Sequence, residues 1–467
     1  MTRTHAADVA VIGAGPAGLA AALAARQAGA VVTILDEGAR PGGQIFRQLP
    51  AAFGTIGQPA ADAPSHALGH ALLHDVEASG VPVLARVTVF EARPGALAYE
   101  RDGEVGVVRA KAIVLATGAY DRSVPFPGWT LPGVVTAGAA QVMVRGQMLR
   151  PGTRAVVAGT GPLLLPTLTA LQAAGVRVVA ALEAAPRTAL LRGVGALLRS
   201  RAKRREAWHY ARAFLRSGLR LRHGWTVFAA HGADRVAAVT IGRVDRTGRP
   251  RRDHEQRLEA DLVCVGFGLE PSNELARRLR CTMLRGPDGS WVPQVDARMA
   301  TSVAGVFAAG EVVGIGGVDT ARAEGHLAGL AAAAHAGWTV APERFAQAEA
   351  ERVRERAVSR TLLAAFPVLP GLYELAAPDT LVCRCEDVRL REVREAAALF
   401  GPELRTLKMA TRAGMGPCQG RICASILEGV LASRLGVDPH RHACPAAQVP
   451  VKPVAARCLL EALRELG

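Results

Sequence analysis

The chain is predicted to be an α/β protein, with two nucleotide-type folds in series and a small helical unit behind them. Three observations predict this. A continuous apolar run, VAVI, ends in a glycine-rich turn and opens an Ala-rich helix. The same succession recurs near residue 154, in RAVVAGTGP. Four cysteines in two close-spaced pairs, Cys383 with Cys385 and Cys418 with Cys423, follow near the C-terminus. A repeated strand, glycine turn and helix is the signature of parallel strands joined by crossover helices.

Composition bounds the partners. The 467 residues suggest about three domains at roughly 150 residues each, and an apolar half allows large cores. The net charge of +15 comes almost wholly from arginine, because Lys111, Lys203, Lys408 and Lys452 are the only lysines. No basic groove interleaved with aromatics is visible, so nucleic acid is not an expected partner. The densest basic run, Arg199 to Arg222, has apolar residues at helical spacing and is expected to be a solvated helix face in preference to a polyanion or membrane-surface site. No stretch of about 20 apolar residues predicts a membrane span. MTRTHAADVAVIGAG enters the first strand without a signal-like apolar segment. Eight cysteines in a chain of this length do not suggest a disulfide scaffold, and a reducing cytoplasm is the expected compartment.

Residues 7–13 read as a buried strand, 15–29 as a helix closed by Gly29, and 31–35 as the next strand, ending at Asp36. Gly13-x-Gly15-x-x-Gly18 sits at the turn. These glycines allow a tight bend and the approach of a pyrophosphate to the helix N-terminus, while Asp36 suits the adenosine ribose. The motif fixes an ADP moiety and leaves open which nucleotide carries it.

The second turn reads Gly159-Thr160-Gly161-Pro162-Leu163-Leu164, so Leu164 replaces the third glycine and Pro166 follows within the first turns of the helix. A branched side chain there crowds a pyrophosphate, and NAD(P)H is expected to bind poorly or not at all. Glu183, at the end of the following strand, suits a ribose 2′-hydroxyl and repels a 2′-phosphate.

KAIVLATGAYDR, DLVCVGFGLEPSNEL and TSVAGVFAAGEVVGIGG each read as a strand running into glycine, and an Ala-rich helix follows to about residue 337. The expected organisation is a first nucleotide domain over 1–150 and 261–338 and a second over 151–260. A connection over 339–379, a helical cysteine domain over 380–436 and a Pro-rich tail over 437–467 complete it. The tail and the Trp129 region are expected to meet other surfaces or partners.

Asp36-Glu37-Gly38 with Gly42-Gly43-Gln44, then Ala116-Thr117-Gly118, then Gly305-Val306-Phe307-Ala308-Ala309-Gly310-Glu311 resemble the successive motifs of the two-dinucleotide-binding flavoprotein family. The resemblance implies FAD, held by Gly13, Gly15, Gly18, Asp36, Gly43, Gln44, Thr117, Gly118, Gly310 and Glu311. Glu311 stands where that family usually has Asp. The helix after it would point its N-terminus at the flavin ring. Disulfide reductases of the family carry a cysteine pair beside the flavin. Gly42-Gly43-Gln44-Ile45-Phe46 has none, and disulfide reduction is not expected.

Four thiolates can hold an iron–sulfur cluster or a structural zinc. Cys383-x-Cys385 and Cys418-x4-Cys423, with Thr411 to Pro417 before the second pair, resemble the small [2Fe-2S] domain related to bacterioferritin-associated ferredoxin. The C-x4-C spacing and the stretch Phe126 to Gln141 are similar to one branch: the large subunits of heteromeric FAD-dependent dehydrogenases and oxidases acting on opines, proline or hydroxyproline, and of hydrogen cyanide synthase. That resemblance implies an electron-transfer subunit. It also implies a smaller FAD-dependent partner of the D-amino-acid-oxidase type, on which an amine substrate is oxidised. No catalytic acid or base is assigned to this chain. Two alternatives remain: an NAD(P)H-dependent flavin reductase feeding its own [2Fe-2S] cluster, and a non-catalytic scaffold with structural zinc.

Overall fold

The computed structural model describes residues 3–50, 53, 64–189, 195, 200–438 and 442–466. Strands β1 (Arg3–Ile12) and β2 (Val32–Leu35) pair in parallel, with Val9 opposite Val32 and Ile12 opposite Leu35. Helix α1 (Pro16–Gln27) crosses between them. Strand β3 (Glu104–Leu115) runs parallel on the other side of β1. The first half of β3 pairs antiparallel with Ala96–Arg101 and its last residues pair with Val306–Ala308, completing a seven-stranded sheet. Val9 and Val11 are fully buried on one face, and Ala10 is fully buried on the other. A sheet covered on both faces explains a continuous apolar run without alternation.

The second sheet has five strands. β4 (Arg154–Gly159) lies between β5 (Arg177–Glu183) and β6 (Leu262–Gly266), all parallel. Helix α2 (Leu164–Ala173) makes the crossover. Val134–Thr136 pairs with the outer side of β6, so β6 and Val134–Thr136 belong to the second sheet and not to the first nucleotide domain expected to hold them. The physical reason is the run LVCVG, buried along its whole length, which needs a parallel neighbour on each side. Between β5 and β6 the chain makes a three-stranded antiparallel meander (Trp225–His231, Ala238–Val244, Pro250–Glu259) and returns to the same sheet.

Helix α3 (Arg201–Arg216) lies in the second unit, over α2. Helix α4 (Gly317–His335) packs directly on α1: a Cβ on Gly325 would stand 2.0 Å from the Ala17 carbonyl oxygen, and one on Gly329 2.1 Å from that of Ala21. The segment expected to be a connection holds a 24-residue helix, α5 (Pro342–Ala365), with Phe345 and Ala348 in the first unit's core. This helix contains the charged stretch PERFAQAEAERVRERAVSR that the sequence places within the connection.

The cysteine unit comprises a short hairpin (Leu381–Cys383, Val388–Arg389) and helices α6 (Leu390–Phe400), α7 (Leu404–Thr411) and α8 (Cys423–Leu435). Its apolar residues Val382, Leu407, Ile426 and Leu431 join the core that holds Val156, Leu182 and Val263 of the second sheet. The tail ends in helix α9 (Ala456–Leu466), whose Cys458 and Ala462 pack on Phe90, Ala98 and Val105. Its prolines end before Ala456, which leaves the last eleven described residues free to coil.

Candidate redox centre

At the first turn the glycines do what the spacing requires. Gly13 has φ +104° and faces the Ala116 carbonyl, where a Cβ would be 2.3 Å away. A Cβ on Gly18 would sit 1.8 Å from the Gly13 carbonyl oxygen, so helix and strand meet backbone to backbone. Gly15 caps α1 without a side-chain hydrogen bond. Among the described residues, the nearest non-neighbouring atom to a Cβ there is the Gly43 Cα, at 3.8 Å. Gly43 has φ +60° and its own Cβ would strike Gly15 at 2.7 Å. Two side-chain-free backbones thus form a cradle at a helix N-terminus, the geometry that accepts a diphosphate.

Asp36 faces the same turn. Its carboxylate accepts from the Ala14 N–H at 2.5 Å and the Gly38 N–H at 2.7 Å. Burial raises its pKa, and those two N–H groups oppose the rise. Asp36 therefore orders the loop on which a ribose would lie. Thr117 donates to the Ser272 carbonyl at 2.5 Å, and Gly118, at φ +72°, has open space above it.

Gly310 packs its Cα side against Ala17, where a Cβ would be 2.7 Å from that methyl. Glu311 accepts from the N–H groups of Gly317, at 2.7 Å, and Gly316, at 3.3 Å. The resemblance puts Glu311 against a ribitol chain; the structure turns its carboxylate onto the N-terminus of α4. One methylene more than Asp gives the reach. Burial raises its pKa against those two donors.

Several residues near this site carry no motif, and sequence reasoning missed them. Arg47 donates to Gln44 Oε1 at 2.6 Å, and burial with the nearby Arg145 pushes its pKa down to about 10. Asp121 accepts from Thr136 Oγ1 at 2.6 Å, and burial raises its pKa. Lys203 of α3 reaches the first turn of α4, with Nζ 3.5 Å from Asp319. Only the fold brings these distant positions together.

The second turn differs. Leu164 is 2% exposed and starts α2, three residues beyond Gly161. Gly161 has φ +97°, and a Cβ there would meet the Phe366 side chain at 3.5 Å. Phe366 follows directly on α5 and covers the turn. Glu183 is turned inward, accepting from Gly161 N–H at 3.0 Å and Ala185 N–H at 2.9 Å. Burial pushes its pKa up to about 7.

The four cysteines come together. Cys383 ends a strand and Cys423 opens α8, each 1% exposed; Cys418 is half-buried and Cys385 exposed. The thiols touch in a chain, Cys383 to Cys423, Cys423 to Cys418 and Cys418 to Cys385. The Cys423 thiol lowers Cys383 to about 6 and Cys418 to about 5, and its own pKa rises because it donates to both. N–H groups of Gly414 and Glu386 also favour the Cys383 thiolate, and those of Ile422 and Gly420 the Cys418 thiolate. A Cβ on Gly416 would strike the Cys385 Cβ at 2.3 Å. Among the described residues no three His, Cys, Asp or Glu groups converge on a single-ion site. Four neighbouring thiols with backbone N–H donors fit the thiolate ligand set of a [2Fe-2S] cluster.

Trp129, expected at a partner surface, is 9% exposed. Its indole donates to the Leu381 carbonyl at 2.8 Å, with Arg384 stacked over the ring at 5.6 Å. It fastens the cysteine unit because PFPGWTLPG turns inward against the hairpin. Arg421, inside the second cysteine loop, pairs with Glu274 at 2.6 Å, and Arg285 pairs with Glu428 of α8 at 2.7 Å.

Residues 7–325 match the family model described as pyridine nucleotide-disulphide oxidoreductase. The chain belongs to that family. Residues 381–433 match the BFD-like [2Fe-2S] binding domain. The two matches imply FAD and a [2Fe-2S] cluster, and the cradle and the thiol chain fit them. The chain is 34% identical to one subunit of the opine oxidase of Agrobacterium tumefaciens (strain Ach5), over 96% of this chain and 90% of that one. It is 29% identical to hydrogen cyanide synthase subunit HcnB of Pseudomonas protegens, over 91% of this chain and 92% of that one. The fold resembles that of L-proline dehydrogenase from P. horikoshii, with a TM-score of 0.71 and 20% identity, over 98% of this chain and 80% of that one. Among the described residues no helix is long and apolar enough to cross a membrane.

Proposed function

We propose that this chain is the electron-transfer subunit of a heteromeric FAD-dependent dehydrogenase or oxidase acting on the C–N bond of an amino acid or secondary amine, of the opine, proline, hydroxyproline or glycine class. The relatives named as subunits of opine oxidase and hydrogen cyanide synthase support a hetero-oligomer. The amine is oxidised on a smaller FAD-dependent partner of the D-amino-acid-oxidase type, and this chain carries the electrons onward in the cytoplasm. The first turn, with Gly13, Gly15, Gly18 and Gly43, holds the FAD diphosphate. Cys383, Cys385, Cys418 and Cys423 hold the cluster. When bound, FAD would supply a two-electron carrier and the cluster a one-electron carrier.

The observation that carries this reading is the closed second turn. A diphosphate lying there would meet Phe366, whose side chain stands over Gly161, and the place of the third glycine that lets helix and strand close on a diphosphate is taken by the buried Leu164. These contacts support a second turn that binds NAD(P)H poorly or not at all, which disfavours a self-contained reductase. The chain's own residues also hold the cysteine unit rigidly through Trp129, Arg421 and Arg285.

The test is anaerobic reduction of the chain, alone and with a co-expressed small subunit, followed by visible absorption. Proline, hydroxyproline or an opine should bleach the chromophores only when the partner is present. Bleaching of the isolated chain by any of these amines would place the oxidation on this chain and overturn the proposal.

A further inference from the structure

The basic run read from sequence as a solvated face has an exposed stripe that solvation alone does not explain. Helix α3 turns Tyr210, 7% exposed, toward the protein, with Phe214 packed on the core of the second unit. Its one acid, Glu206, pairs with Lys203 at 2.9 Å beside that inner face. The outer face repeats at helical spacing. Arg205, Trp208, Arg212, Leu215 and Arg216 are all exposed, and Arg201 and Arg204 extend the stripe toward the N-terminus. Trp208 is 68% exposed and Leu215 76%. They lie seven residues apart, about 10 Å along the axis, with guanidinium groups on both sides. The outer face of α3 carries no carboxylate of its own.

We infer that this stripe is a peripheral docking surface for a bilayer rich in anionic phospholipid. An indole and a leucine between arginines match the polarity gradient of the headgroup region, with the apolar groups entering and the guanidinium groups remaining at phosphate level. Arginine binds phosphate through a planar fork, so a sheet of lipid phosphates satisfies several guanidinium groups without a fixed register. An acidic protein partner would need carboxylates at matching positions and an apolar pocket for Trp208. The chain's net charge of +15 draws it toward the same surface.

Sedimentation of the full chain with vesicles tests this. Vesicles of phosphatidylglycerol and phosphatidylcholine should bind it, and vesicles of phosphatidylcholine alone should not. Arg205→Gln with Arg212→Gln should weaken binding roughly 30-fold. Trp208→Ser with Leu215→Ser should also weaken it, and the emission lost in Trp208→Phe should be the component that shifts to the blue on adding anionic vesicles. Unchanged visible spectra would show that these surface variants remain folded. Failure to bind anionic vesicles, or equal binding by the double arginine variant, would overturn the inference. So would shielding of Trp208 from a soluble quencher by the small subunit without lipid, which would assign the stripe to a protein interface. So too would equal affinity for an oligonucleotide, which would reduce it to a nonspecific polyanion contact.

Discussion

The two nucleotide folds share strand, turn, helix, strand and terminal acid, and they differ in what touches the turn. At the first, glycine meets glycine beside the helix N-terminus. At the second, Leu164 is packed into the helix start and Phe366 covers Gly161. The second fold's apolar core continues into the cysteine unit, whereas the first fold's core is made with α4 and α5. The comparison teaches that a nucleotide fold can keep its sheet as a platform for another unit while a side chain from a distant helix end lies over its turn.

The largest expected effect comes from making the first turn resemble the second. Gly18→Leu puts a Cβ against the Gly13 carbonyl, so purified protein should lose its flavin absorption entirely. Retention of stoichiometric flavin would break the comparison at its root. Cys418→Ser removes a ligand from the thiol chain, and iron content should fall to background while flavin absorption persists. Flavin loss in that variant would show that the two centres are not independently held.

Opening the second turn should be costly without being useful. Leu164→Gly empties a buried site and weakens a helix start, costing about 2–5 kcal/mol in denaturant unfolding. It should give no NADH binding, because Phe366 remains in place. Micromolar NADH affinity in that variant would mean Leu164 alone had closed the site.

Glu183 sharpens the same point through pH. Its folded pKa, about 7, lies above the usual carboxylate value, so the folded state holds the proton more tightly than the unfolded state. Stability is therefore fully present below the unfolded pKa and falls as pH rises through about 7, by up to roughly 3 kcal/mol. Glu183→Gln should flatten that slope in thermal melts between pH 5 and 8, and an unchanged slope would remove Glu183 as its source. The smallest effect is expected from Trp129→Phe. It deletes one hydrogen bond to Leu381 and should loosen the cysteine unit by about 1 kcal/mol, visible as faster proteolysis before the hairpin.

The first turn was legible in the sequence because three glycines and an acid at fixed spacing have few other uses. The four cysteines were legible for the same reason, and residues 381–433 match the expected domain model. Leu164 in place of the third glycine was legible in the sequence. Phe366 was not, since a phenylalanine about 200 positions away carries no motif, and only the packing of α5 brings it to Gly161. The sheet assignment of Leu262–Gly266 was hidden because an apolar run ending in glycine suits either sheet. Trp129 looked like a partner contact, since a large aromatic among prolines and glycines reads as a surface loop until the hairpin that covers it is known.

The most direct measurement is a titration of the isolated, flavin- and iron-loaded chain with NADH and NADPH, following intrinsic fluorescence and visible absorption together. A closed second turn requires no saturable binding at micromolar nucleotide and no rapid bleaching. Saturable binding with rapid bleaching would show that electrons enter through the second fold, and would contradict the account.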